Sequence, residues 1–209
     1  SSDLRRLAGN SLVRSIPHFN EAGFATALVD APSDHGGDAG LAGFRATAQH
    51  AADLGKVIAD LRTRTGAAVW VAGTSRGTIS AANAAARLAG SAAPDGLVLT
   101  SILTVGSRSR ANAWLSQTVF DVALDAIRMP VLLVGHAADN CLRSPASLME
   151  GVAGRLGSAR RQVVTITGGP GREGAPGLDA CEGRSPHGFI GQESEVAAGI
   201  ARFIRDGQY

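Results

Sequence analysis

Short apolar runs alternate with helical patterns along this chain. Five runs read as strands buried on both faces of a parallel sheet: residues 24–29 (FATALV), 67–71 (AAVWV), 96–99 (GLVL), 131–134 (VLLV) and 162–166 (QVVTI). Between them the apolar positions recur at helical spacing. Leu54, Val57, Ile58 and Leu61 share one helix face, and so do Val196, Ile200, Phe203 and Ile204. Leu148, Val152 and Leu156 mark another helix, with Ser144 as its N-cap and Pro145 at its first position. Leu12, Ile16 and Phe19 suggest an early helix, against which Pro17 counts. Strand alternating with helix predicts an α/β fold: a mostly parallel sheet of about five strands flanked by helices, a three-layer sandwich. The 209 residues suit one domain spanning 1–209.

Composition narrows the function. With 44% hydrophobic and 18% charged residues the chain reads as globular. The net charge is +2, and the basic residues are scattered with no aromatic-interleaved stripe, so a nucleic-acid surface is not expected. No apolar run approaches the roughly 18 residues that span a bilayer, so no membrane partner is expected either. Two cysteines exclude a disulfide-dense scaffold and a four-cysteine zinc site. The Gly-rich stretches 36–43 and 168–177 follow strands and read as loops over the carboxyl edge of the sheet, where open α/β folds bind ligands. Neither matches a phosphate-binding loop.

Gly73-Thr74-Ser75-Arg76-Gly77 is a Gly-x-Ser-x-Gly motif. It follows a predicted strand and opens a predicted helix, the context in which the motif carries meaning. A sharp strand-to-helix turn strains the serine and lifts its hydroxyl above the sheet. Glycines on either side let strand and helix approach, and the Arg76 N–H can meet a developing oxyanion. The alanine-rich segment 80–89 suits a helix lying close on the sheet.

A nucleophilic serine needs a base, and the base needs an acid. Asp139 follows the 131–134 strand, and His187 lies on the loop before the last helix, in the order Ser, Asp, His. Among the other histidines, His18 and His50 read as surface residues of helices. His35 falls in the first Gly-rich loop, and His136 is too near Asp139 to be its partner. Asp30 and Asp34 are the fallback acids, read here as turn residues around Pro32. Cys141 sits two residues after Asp139 and Cys181 six before His187. If those loops converge, a Cys141–Cys181 disulfide would tie them, implying a periplasmic or secreted protein. Two free thiols would instead fit the cytoplasm.

The stretches 29–34 (VDAPSD), 73–83 (GTSRGTISAAN) and 185–188 (SPHG) resemble the α/β-hydrolase family, in its bacterial serine esterase branch. The resemblance implies Ser75 as nucleophile, His187 as base and Asp139 as its orienting partner, with no metal or organic cofactor. The chain departs from the family at its start, where a strand and a Gly-rich oxyanion loop would precede the first helix. It is expected either to be a fragment lacking its N-terminal strands, or a small variant in which the runs 24–29 and 67–71 become neighbours. The second oxyanion donor is then Gly9 or Asn10.

These residues predict a serine hydrolase that cleaves small carboxylic esters through an acyl-enzyme. The alternatives are a non-catalytic binding protein on the same fold, or an acyltransferase or perhydrolase on the same triad. Residues 107–121 form a candidate cap. Within it Trp114, Leu115, Val119 and Phe120 either line an acyl pocket, Trp114 and Phe120 foremost, or pack on the core.

Overall fold

The structure, a computed structural model, describes residues 7–35, 41–107, 113–171 and 174–209. Four strands form one parallel sheet in chain order: β1 (Trp70–Thr74), β2 (Gly96–Thr100), β3 (Val131–His136) and β4 (Arg161–Ile166). The helices are α1 (Ser11–Arg14), α2 (Ile16–Glu21), α3 (Ala48–Thr65), α4 (Gly77–Arg87), α5 (Met149–Ala153) and α6 (Glu193–Ile204).

β2 and β3 are buried at every position, which is why they read as unbroken apolar runs. Their side chains alternate between two cores. Leu97, Leu99, Val131 and Leu133 meet Ala81, Ala82 and Ala85 of α4 and Met149 and Val152 of α5. Val98, Leu132 and Val134 meet Val196, Ile200 and Phe203 of α6, with Phe19 of α2 beside them. This is the three-layer α/β arrangement. Each fully buried Leu or Val contributes roughly 1.5–3 kcal/mol against the ordering entropy of the chain.

Local chemistry sets the helix ends. Thr47 caps α3 by accepting the His50 N–H at 3.1 Å, and Gly66 ends it in the left-handed region at φ +65°. The early helix is split. α1 stops at Ser15, and α2 begins with Pro17 in its first turn, where no intrahelical N–H is needed. Ser144 does not cap the next predicted helix. It is buried, and a 310 turn (Ala146–Leu148) that follows Pro145 leads into α5.

The run 24–29 is not a strand. Among the described residues it joins no sheet and does not pair with β1. Leu28 and Val29 are about half exposed, at 46% and 48%. Its start is tethered by the Phe24 N–H to Phe19 O, and the Arg205 guanidinium lies over the Phe24 ring. Beyond that point no described strand takes up its backbone groups, and residues 25–29 are exposed. β1 is accordingly an edge strand with Ala72 exposed, and it begins at Trp70, three residues later than the run 67–71 predicts.

Candidate active site

β1 delivers the Gly-x-Ser-x-Gly motif to the carboxyl edge of the sheet. Ser75 follows Thr74 directly and takes a left-handed conformation, φ +50°. Its N–H donates to Thr100 O of the neighbouring strand at 3.1 Å. Its carbonyl accepts from the Thr78 N–H at 3.0 Å and the Thr78 hydroxyl at 2.6 Å, closing the first turn of α4. A Cβ at Gly73 would stand 2.5 Å from Gly77 O, so only glycine allows this approach of strand and helix. Gly77 has open space around its own Cβ position, contrary to the expectation that both glycines are needed for closeness.

The loop after β3 and the loop before α6 meet. Asp139 Oδ2 lies 2.8 Å from His187 Nδ1, with 1% and 4% of the two side chains exposed. The other carboxylate oxygen accepts the Cys141 N–H at 2.9 Å. These two contacts leave the carboxylate well satisfied despite its burial. His187 Nε2 is buried and has no hydrogen-bond partner among the described residues. The His187 carbonyl accepts from the Ser101 hydroxyl at 2.6 Å. Ser75 is thus anchored to Thr100 and His187 to the next residue in the chain, which brings nucleophile motif and histidine loop to one corner of the sheet.

Cys141 and Cys181 are bonded, with Cα atoms 4.5 Å apart. The bond sits beside the Asp139–His187 contact, and the loops run together there through Leu142 N–H to Gly177 O and Gly177 N–H to Asn140 O. Ligand atoms of Asp139, Cys141 and His187 lie within 4.8 Å of one another, but the Cys141 sulfur is already bonded, so the group offers a metal two donors rather than three.

The remaining candidates fall elsewhere. His136 is a buried structural residue: Nε2 contacts Gln192 Oε1 at 3.0 Å and Gly168 O at 3.2 Å, and Nδ1 accepts the Ala138 N–H. His50 is buried, not a surface residue, because α3 turns it inward with Ala51, and neither ring nitrogen has a hydrogen-bond partner among the described residues. Burial, then the nearby Arg45 charge, lowers its pKa from 6.5. His18 is half-buried beside Glu21, and His35 stacks on Phe44. Asp30 and Asp34 are exposed, and it is Asp139 that holds His187. The Asn10 N–H donates to Leu7 O and its side chain caps α1, so it is committed to the helix start. Gly9 lies against Gly183 in the histidine loop, so close that a Cβ at Gly183 would overlap Gly9 O. Val119 is fully buried in the α4–α5 core and Phe120 packs against it under the Arg155 guanidinium. The side chain of Trp114 lies outside the described residues, as do residues 36–40, which hold most of the first Gly-rich stretch.

Sequence reasoning missed three contributors. Ser101 follows β2 and left no motif. Arg45 and Arg143 come from segments with no local motif, and both feel the charge of Arg76. Arg45 has its pKa pushed down to about 10 by burial and then by Arg76. Arg143 is lowered by the same two causes in the same order.

A sequential parallel sheet carrying a strained serine after one strand, an acid after a later one and a histidine before the last helix is an α/β-hydrolase fold. Among solved structures the chain is similar to a monoacylglycerol lipase from Paleococcus ferrophilus (TM-score 0.56, 16% identity, 92% of this chain and 88% of that one). It is also similar to a structure described under LipS and LipT, two metagenome-derived lipolytic enzymes (TM-score 0.54, 13% identity, 94% and 88%). A puromycin hydrolase shares the fold over 26% of its own length and 79% of this chain (TM-score 0.54, 12% identity). No protein-family model and no curated sequence matches the chain.

Proposed function

We propose that the protein is a serine hydrolase cleaving carboxylic esters of small molecules. One observation carries the reading: a buried carboxylate holds His187 Nδ1 at 2.8 Å and leaves Nε2 buried with no hydrogen-bond partner among the described residues, beside the corner that anchors a strained serine. With the proton of its ring held on Nδ1 by Asp139, His187 presents Nε2 as an acceptor. Nε2 takes the Ser75 proton as Oγ attacks the acyl carbon, and the imidazolium that forms is stabilised by Asp139. The Arg76 N–H donates to the oxyanion, with Gly9 N–H as second donor. His187 then protonates the leaving alcohol. In the second half it deprotonates water, which attacks the acyl-enzyme and releases the acid. The disulfide favours an oxidising compartment, periplasmic or extracellular, for this chemistry. Among the described residues no helix is long and apolar enough to cross a membrane.

The test is Ser75→Ala against 4-nitrophenyl acetate and a fluorophosphonate probe. Hydrolysis should fall roughly a thousandfold or more and labelling should vanish. Undiminished turnover in Ser75→Ala removes Ser75 from the mechanism. A wild-type protein that neither turns over nor labels is a binding protein instead.

A further inference from the structure

One face of α3 lines a second pocket, apart from the residues of the proposed hydrolysis. His50, Asp53, Leu54 and Val57 recur at i, i+3, i+4 and i+7 and share that face. They line a pocket of about 180 Å³ together with Val29 and Asp30, which lie at and just after the end of the run 24–29.

Two observations mark the pocket as a site. His50 is only 4% exposed, yet neither ring nitrogen has a hydrogen-bond partner among the described residues. Buried polar groups are rarely left so in a folded protein. The ring packs on Phe44, with centroids 5.1 Å apart, and that neighbour offers it no lone pair. The apolar part of the lining is also incompletely covered. Val29 is about half exposed, and Leu54 and Val57 are half-buried. An occupant would cover apolar surface and supply His50 with a partner.

The lining sets the occupant's chemistry. Its charged side chains are Asp30 and Asp53, and no basic residue lines it among the described residues. Asp53 Oδ1 accepts from Lys56 Nζ at 3.0 Å, but Lys56 is well exposed, and such surface pairs are weak. Asp30 Oδ1 accepts the Ala31 N–H at 2.8 Å, a neutral donor that leaves its charge in place. Burial, then the Arg45 charge, lowers the His50 pKa, Asp53 opposes them, and His35 adds slightly to the lowering. The imidazole is therefore neutral at ordinary pH and has one nitrogen that accepts. The Arg45 guanidinium itself donates to Ser80 Oγ at 2.9 Å. Among the described residues, side chains placed to share a metal ion gather only around Asp139, so a metal does not fit this pocket. A cation that carries its own N–H donors does fit. A cavity of about 150 Å³ admits benzene, which sets the size of the apolar body.

We propose that this pocket binds a small organic ammonium: an amine with an apolar body about one ring in size, whose N–H groups donate to His50 and to the carboxylates of Asp53 and Asp30. The apolar body lies against Val29, Leu54 and Val57. Ser75 has no part in this binding, so the site stands or falls apart from the hydrolase reading.

The probe is benzylamine, protonated at about pH 7.5, titrated into the intact protein by calorimetry beside benzyl alcohol, its neutral analogue. The ammonium should bind at least about tenfold tighter than the alcohol at low salt, and the difference should shrink near about 0.5 M NaCl. Asp53→Asn, at a partly exposed position, should weaken benzylamine about tenfold. His50→Phe keeps a ring against Phe44, removes the acceptor and should weaken it by a similar factor. Val29→Trp fills the pocket from an exposed position and should abolish binding. Ser75→Ala should bind benzylamine as the wild type does, which separates this pocket from the catalytic corner. Should His50→Phe fail to fold, Asp53→Asn and Val29→Trp decide. Three results overturn the proposal: no binding of benzylamine up to about 20 mM, equal affinity for the alcohol, or binding that Asp53→Asn or Val29→Trp leaves unmoved.

Discussion

Ser75 and Ser101 stand one residue beyond register partners, Thr74 of β1 and Thr100 of β2, and both have positive φ, +50° and +46°. A left-handed conformation costs an L residue roughly 1–2 kcal/mol, and the sheet holds both in it. The Ser75 N–H is bound to Thr100 O, the Ser101 N–H to Val134 O, and the Ser101 hydroxyl to the carbonyl of His187. The strain at Ser75 predicts a difference between two inactive variants. Ser75→Ala removes the hydroxyl and keeps the strain, whereas Ser75→Gly removes both. Glycine gives back some of the gain through its freer unfolded chain, about 0.5–1 kcal/mol. Ser75→Gly should therefore melt roughly 1–4 °C above Ser75→Ala in a calorimetric scan. A glycine variant that melts below the alanine variant would show that the turn is not strained at this residue.

At the scale of elements, the join between β1 and α4 depends on one glycine of the motif. A Cβ at Gly73 meets Gly77 O at 2.5 Å and Ala81 Cβ at 2.9 Å, while a Cβ at Gly77 meets nothing within 4 Å. Gly73→Ala should push helix from strand, lower stability by about 1–3 kcal/mol and displace Ser75, reducing kcat. Gly77→Ala should fold with unchanged or slightly raised Tm, since alanine suits a helix better. Equal melting points for the two variants would sink this asymmetry. The sequence made this junction legible because strand, turn residues and small-residue helix all pointed the same way, and β2 and β3 were legible because burial on both faces leaves an unbroken apolar run. The run 24–29 shows the limit: its composition is that of a strand, but pairing is a tertiary property, and among the described residues no strand lies beside it. The site divides in the same way. Chain order put Asp139 and His187 forward as a pair, and the structure brings them into contact, whereas the hydroxyl of Ser101 arrives from a segment with no local pattern. His50 was misplaced on the surface because a single polar residue in a helical stripe does not declare which way the helix is turned.

For the molecule as a whole, the acid loop and the histidine loop are separate excursions joined by the Cys141–Cys181 bond, 40 residues apart in sequence. Between the two cysteines lie α5 and the edge strand β4, so the bond closes a substantial part of the sheet as well as the site. Closing a loop of that length stabilises by about 4 kcal/mol in the chain-entropy account. For a chain of this size that corresponds to roughly 8–16 °C in Tm. The Asp139–His187 contact gains more than stability. It lies between the loop after β3 and the loop before α6, and on the proposed mechanism small displacements of the general base cost large factors in rate. The double variant Cys141→Ser/Cys181→Ser should therefore melt lower by that margin, and its kcat should fall more than its KM rises. Reductant should reproduce both effects in the wild type and leave the double variant unmoved. Two titratable thiols in the unreduced, unfolded wild type, with a Tm indifferent to reductant, would remove the bond and with it the argument for an oxidising compartment. The Asp139–His187 pair would then be held by the backbone contacts of Leu142 and Gly177, the Cys141 N–H and the Ser101 hydroxyl, and the loss of either cysteine would leave the rate unchanged.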